Sequence, residues 1–184
     1  RQGKAVGTLK KLGAARGTGT QTYFHPDPQI FPRTEFNPET IRERLEVAAY
    51  IHKGLKVIWN DETSGKKEVF KHEDGILAFM KKILAEKNAK PVHEPPFVME
   101  KQNGMRIEMC FSWTEHTEEL LKSYVNGIPT GNGGTHENGL RAGVLKAIRN
   151  YIETHNLTPR GVTLAAEDIR EGVIGVLSVF VEDP

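Results

Sequence analysis

The stretch that decides the fold is FVMEKQNGMRIEMCFSW, residues 97–113. Met105, Ile107, Met109 and Phe111 alternate with Arg106, Glu108, Cys110 and Ser112. A period of two places each set on its own face of an extended chain, so the segment reads as a half-buried antiparallel strand with its Met/Ile/Phe side inward. The residues before it read as a partner strand. Asn103-Gly104 between them suits a two-residue hairpin turn, which needs positive φ at both positions.

Outward from this hairpin, strand and helix patterns interleave. Upstream, FNPETIRERLEVAAYIHKG has helix grammar: Asn37 can cap, Pro38 suits the first turn, and Glu39 favours the positive end of the dipole. Ile41, Leu45, Ala48 and Ala49 share a face, and Gly54 stops the helix. LKVIWND and EVFKH read as two strands about the turn ETSGKK. DGILAFMKKILAEK reads as a second helix with Ile76, Met80, Ile83 and Leu84 inward. Thr20, Thr22 and Phe24 alternate as in a strand that Pro26 and Pro28 end. Residues 1–18 read as loop with room for one edge strand.

Downstream, ELLKSYVNGI reads as a strand, because Tyr124 and Val125 are strand formers and a Gly/Pro cluster follows. Thr135 is placed as the N-cap of a long helix carrying Leu140, Val144, Ala147, Ile148, Tyr151 and Ile152. AAEDIREG reads as a short helix, and VIGVLSVFV as a strand buried on both faces. The mixture, with hairpins, gives the α+β class: one mainly antiparallel sheet with helices on one face.

The bulk properties exclude several functions. The 184 residues suffice for one good core, or one domain and part of another. The formal net charge is +1, so no general polyanion-binding surface is implied and any nucleic-acid contact must come from local patches. The single cysteine, Cys110, excludes an internal disulfide and points to a reducing compartment. No run approaches membrane-spanning length; the longest apolar run is broken by Gly175 and Ser178. The chain begins at Arg1 within a basic, glycine-rich stretch and stops just after a strand, as expected of a piece of a larger protein.

The glycine-dense loop GIPTGNGGTHENGLR, residues 127–141, invites a phosphate-binding reading that its spacing rejects. A P-loop needs lysine after its glycines, but Gly134 precedes Thr135-His136. A dinucleotide fingerprint counted from Gly131 and Gly133 needs glycine where His136 stands. The seven histidines form no HExxH pair, and Glu115 and His116 near Cys110 do not make a zinc site. Glu167, Asp168 and Glu171 around Arg170 read as a salt-bridged helix start. Arg141 and Arg149 lie near one face of the long helix, with Lys146 between them, and Lys4, Lys10, Lys11 and Arg16 cluster early. Such cations serve solubility or sequence-independent phosphate contact.

RGTGTQTYFHPDPQIF, TEFNPETIRERL, KGLKVIWND, DGILAFM, SYVNGIPTGNGGTHENGLR, PRGVTLAAEDIREG and VLSVFVEDP, in this order, resemble the B subunits of bacterial type IIA DNA topoisomerases. GGTH…GLR and AEDIREG are the most specific pieces; SYVN-IPT leans toward topoisomerase IV, and DIREG suits gyrase equally. The resemblance implies that residues 1–32 are the C-terminal remnant of a GHKL ATPase domain. Residues 33–184 would be the transducer, with the fold of ribosomal protein S5 domain 2 and its left-handed βαβ crossover. It implies that Thr18, Gly19 and Thr20 are a remnant of the nucleotide site, and that Arg141 lines the cavity for transported DNA. The family's catalytic glutamate, magnesium-holding asparagine, adenine-binding aspartate and ATP lid would precede Arg1, and its switch lysine would follow Pro184. ATP and Mg²⁺ are therefore expected in the parent and neither on this chain. The implied partners are DNA, the topoisomerase A subunit and a second copy of the B subunit, in the cytoplasm and away from membranes. A non-catalytic S5-like nucleic-acid-binding module is the competing reading.

Overall fold

The computed structural model describes residues 4–14, 16–158 and 160–184. Two compact units are present, Arg1–Phe36 and Asn37–Pro184. In the first, the described residues form neither helix nor strand. A turn at Asp27, whose carbonyl accepts from Ile30 and Phe31 N–H at 3.0 and 2.9 Å, and an edge-to-face Phe24–Phe36 pair at 5.7 Å give it local order. Thr20, Thr22 and Phe24 are exposed and not a strand; alternation alone does not make one without a neighbouring backbone to complete the ladder. The expected edge strand before residue 18 is likewise absent among the described residues, and residues 1–3 and 15 lie outside them.

The second unit begins with helix α1, Pro38–Ile51, whose cap is the one expected: the Asn37 side chain accepts from Glu39 and Thr40 N–H at 3.0 and 3.1 Å. Its buried residues are Glu46, Ala49, Tyr50 and Ile51, whereas Ile41 is exposed. Strands β1, Val57–Asp61, and β2, Lys66–Phe70, form a separate antiparallel ribbon. Its inner face packs Trp59 and Phe70 on Ala49, with Leu45 and Val57 beside them. Helix α2, Ile76–Glu86, follows.

Five strands make the main sheet: β3, Phe97–Asn103; β4, Met105–Trp113; β5, Leu120–Val125; β6, Ile128–Pro129; and β7, Val173–Phe180. Their order is β3-β4-β7-β5-β6. All pairs are antiparallel except β5–β7, which is parallel and joined through helices α3, Thr135–Thr154, and α4, Ala166–Arg170. The apolar run expected to be buried on both faces is β7, at the centre of the sheet.

The strand that decided the class holds a surprise. Glu108, Cys110 and Ser112 are buried, while Met105 is exposed and Ile107 and Met109 are only half-buried. The side read as outward is the one sealed by α1 and α2: Cys110 joins Tyr50, Phe79, Met80, Ile83 and Val176 in the main core. Small Cys110 and Ser112 let α2 approach, with the Cys110 thiol 3.0 Å from the Met80 sulfur, and Arg106 pairs the Glu108 carboxylate. The apolar side faces α3. Helices thus cover both faces of the sheet, not one as expected, because the face carrying Met and Ile recruits its own helix.

The hairpin turn also moves. Asn103 pairs with Met105 directly and, of the two, only Gly104 has positive φ (72°). The two-residue Asn-Gly turn occurs between β5 and β6, at Asn126 (φ 51°) and Gly127 (φ 79°), bracketed by the Val125–Ile128 pair.

Candidate functional site

The glycine loop is fastened by a polar clasp. The turn at Asn126–Gly127 folds β6 back on β5 and brings Thr130 beside Ser123, their hydroxyls 2.6 Å apart. The Thr130 hydroxyl also lies 3.0 Å from His136 Nε2, and the Ser123 hydroxyl donates to Glu137. Thr130 N–H donates to the Ser123 carbonyl at 2.9 Å, so backbone and side chains hold the loop together. Thr135, expected as the N-cap, is instead the first residue of α3; Gly134 precedes it in an extended conformation and no side chain caps the helix. The clasp instead fastens the first turn of α3 to β5 through Glu137, which is buried.

Arg141 stands one helical turn beyond Glu137. Its guanidinium lies 3.0 Å from the Glu137 carboxylate and donates to Glu119 at 2.8 Å. Burial opposes the charge, but the Glu119 and Glu137 bonds outweigh it and raise the pKa above the ordinary arginine value. Glu119 also reaches Arg170 of α4 at 3.9 Å, and Arg170 bonds Glu167 at 2.9 Å. Of the carboxylates expected around Arg170, Glu167 pairs with it, whereas Asp168 accepts from the Ala165 N–H at 2.8 Å at the helix start. Arg149, expected beside Arg141 on one face, donates instead to the Leu164 carbonyl at 3.2 Å.

Thr18, Gly19 and Thr20 lie exposed in the first unit and Arg141 in the second. The clasp residues Ser123, Thr130, His136 and Glu137 and the Glu119 brace were not singled out from sequence. One signal was available: Glu137 and Arg141 are four apart on a helix, the spacing of a supporting ion pair.

A cleft of about 630 Å³ separates α3 from the sheet. Ile107, Met109 and Phe111 form its floor, and Leu140, Val144 and Ile148 its roof. No helix among the described residues is long and apolar enough to cross a membrane.

The family model for DNA gyrase B matches residues 75–184, well over half the chain, including the clasp, Arg141 and the central strand. The chain belongs to the DNA gyrase B family. It is 38% identical over 173 residues to the DNA gyrase B subunit of Archaeoglobus fulgidus, covering 94% of the chain and 27% of that relative. It is 36% identical over 183 residues to the DNA topoisomerase 4 B subunit of Pseudomonas aeruginosa, covering 98% and 28%. This gyrase B family chain thus spans under a third of the length of these relatives. Among solved structures it is similar to the 43K ATPase domain of Thermus thermophilus gyrase B in complex with an aminocoumarin, with TM-score 0.73, 32% identity and 86% and 43% of the two chains covered. It is also similar to the topoisomerase IV ATP-binding domain of Francisella tularensis, with TM-score 0.72, 28% identity and 86% and 42% covered. The fold is the α+β, S5-domain-2-like architecture that the resemblance implied.

Proposed function

We propose that this chain is the transducer portion of an ATP-dependent type IIA topoisomerase B subunit, relaying ATP binding and hydrolysis to DNA strand passage. The observation that carries the reading is the gyrase B family match across residues 75–184, which takes in every strand of the main sheet. A relay needs a rigid body that another element can swing or grip. A sheet sealed by α1 and α2 on one face supplies such a body.

In this reading residues 1–32 are the end of the ATPase domain, with Thr18, Gly19 and Thr20 at the edge of its nucleotide site, and residues 33–184 are the transducer. The fold's own compact units divide nearby, after Phe36. ATP and Mg²⁺ act in the whole subunit, its partners are DNA, the A subunit and a second copy of the B subunit, and its place is the cytoplasm. The chain alone is inactive, because the resemblance assigns the catalytic glutamate and switch lysine to positions outside it. Arg141 faces the DNA cavity. Its guanidinium is already matched to Glu119 and Glu137, so phosphate contact there means displacing a carboxylate.

The test is ATP turnover by the chain alone and by the chain joined to the upstream ATPase domain and downstream lysine loop of a gyrase B relative. Negligible turnover alone and recovery when joined are expected. Turnover by the 184 residues themselves, or a joined protein with no turnover, contradicts the reading.

A further inference from the structure

With a net charge of only +1, a DNA partner demands a local cationic patch. The β1–β2 ribbon carries one. The two strands pair in register, Ile58 with Val69 and Asn60 with Lys67 on the outer face, Trp59 with Glu68 and Val57 with Phe70 on the inner. Lys56 and Lys71 extend the outer row by one step at the open end. The inner face is spent: Trp59 and Phe70 are buried against α1, and Arg42 grips Glu68 at 2.8 Å. The outer face is free, with Ile58 55% and Val69 54% exposed and Lys56, Asn60, Lys67 and Lys71 all exposed.

The acids of the two strands lie on one face only, although Lys66, opposite Asp61, adds an exposed lysine to that inner row. Every ionisable side chain on the outer face is a lysine. Lys71 bonds Glu73 at 2.5 Å, while Lys56 and Lys67 enter no ion pair among the described residues. The acids within the strands, Asp61 and Glu68, belong to the inner row; Asp61 is held by the Ser64 hydroxyl at 2.5 Å. Glu62, at the turn, is exposed beyond the paired rows.

We propose that the outer face of the β1–β2 ribbon is a contact surface for duplex DNA. A two-stranded ribbon fits the major groove, which is about 12 Å wide. Lysines flanking it reach phosphates on either side without reading sequence, Asn60 can bond a base edge, and Ile58 and Val69 offer apolar contact to thymine methyls. An acidic protein surface suits the face less well, because lysine is depleted at protein interfaces. The proposal rests on DNA being the partner, as in the function proposed above, but concerns a surface which that reading does not assign.

The experiment is fluorescence anisotropy of the intact chain with a labelled duplex of about 20 base pairs across a salt series. Wild type binds weakly, with Kd of about 10⁻⁴ to 10⁻⁶ M, and steeply with salt. The double variant Lys56→Gln/Lys67→Gln loses roughly tenfold in affinity at low salt, and its salt slope falls by about 1.8, near 0.9 per lysine. A control pair on other exposed positions, Lys87→Gln/Lys101→Gln, keeps the wild-type slope. Intrinsic tryptophan fluorescence, to which Trp59 on the inner face of the ribbon and Trp113 of β4 both contribute, verifies that the variants are folded. Equal affinity and slope in the two pairs overturns the proposal and gives the face to a protein partner. Absence of duplex binding by wild type overturns it as well. Both failures leave the ATP-turnover test of the relay untouched, so the two readings fall separately.

Discussion

The two faces of the main sheet are covered by helices in different ways, and the more hydrophobic face is the looser. Under α1 and α2 lie Cys110, Ser112 and Glu108, yet this side is closed: Met80, Ile83 and Val176 are 2% exposed or less. Burial pushes the Cys110 thiol up to about 11, as expected of a thiol far from water. Under α3 lie Ile107, Met109 and Phe111, and between them and the helix a cleft of about 630 Å³ remains. Hydrophobic content measures the drive to be covered; side-chain size and helix approach decide how closely the cover fits. Small residues on the sheet allow contact, whereas α3 stands off at Gly139 and Gly143, which line the cleft without side chains to fill it.

Three perturbations break or sharpen this contrast. The largest is truncation on each side. Ile83→Ala on the sealed face should cost about 3–4 kcal/mol, because the hole it leaves cannot collapse. Met109→Ala on the cleft face should cost about 1 kcal/mol, since the lost side chain borders space already open. Urea denaturation of both variants measures the difference, and equal losses would erase the contrast.

Next is Arg141→Ala, which leaves the buried Glu137 carboxylate without its cation and frees α3 from Glu119. The expected loss is about 2 kcal/mol, with Arg149→Ala, on an exposed carbonyl bond, well under half of that. A loss no larger than that of Arg149→Ala would mean that the brace contributes nothing to holding α3.

The smallest is a pH effect confined to the sealed layer. His72 stacks on Tyr50 at 3.5 Å, and its Nε2 is buried without a partner. Desolvation lowers its pKa below the ordinary 6.5, with Glu46 opposing the shift and Lys82 assisting it. The folded state therefore binds this proton less well than the unfolded chain. Stability attributable to His72 is intact above pH 6.5 and falls as the pH drops from there toward the lowered native value. Thermal unfolding at descending pH should show a decline of roughly a few degrees, and His72→Gln should flatten it. An unchanged slope in that variant removes His72 as the cause.

The strands and helices of the second unit were legible because their periods are clean. The 97–113 alternation, the Asn37 cap and the uninterrupted run at β7 each imply one local structure. Which side of β4 would be sealed was not legible, since a period of two names two faces without saying which helix covers either. The Asn-Gly signal was real but realised at Asn126–Gly127, where the strand register leaves two residues free; at Asn103–Gly104 it leaves one. The clasp at Ser123, Thr130 and His136 was hidden because it joins residues across a hairpin, a contact that helical or strand periodicity does not display. Thr20, Thr22 and Phe24 show the converse: a clean pattern remains coil when no backbone pairs with it.

The central claim is that the α1/α2 side is a rigid body and the α3 side a looser cover. Native-state hydrogen exchange on the intact chain tests it most directly. The account predicts that amides of α2 and β7 exchange only with global unfolding, while those of α3 open at a free energy lower by about 2 kcal/mol or more. Equal protection of α2 and α3, both at the global value, would contradict it.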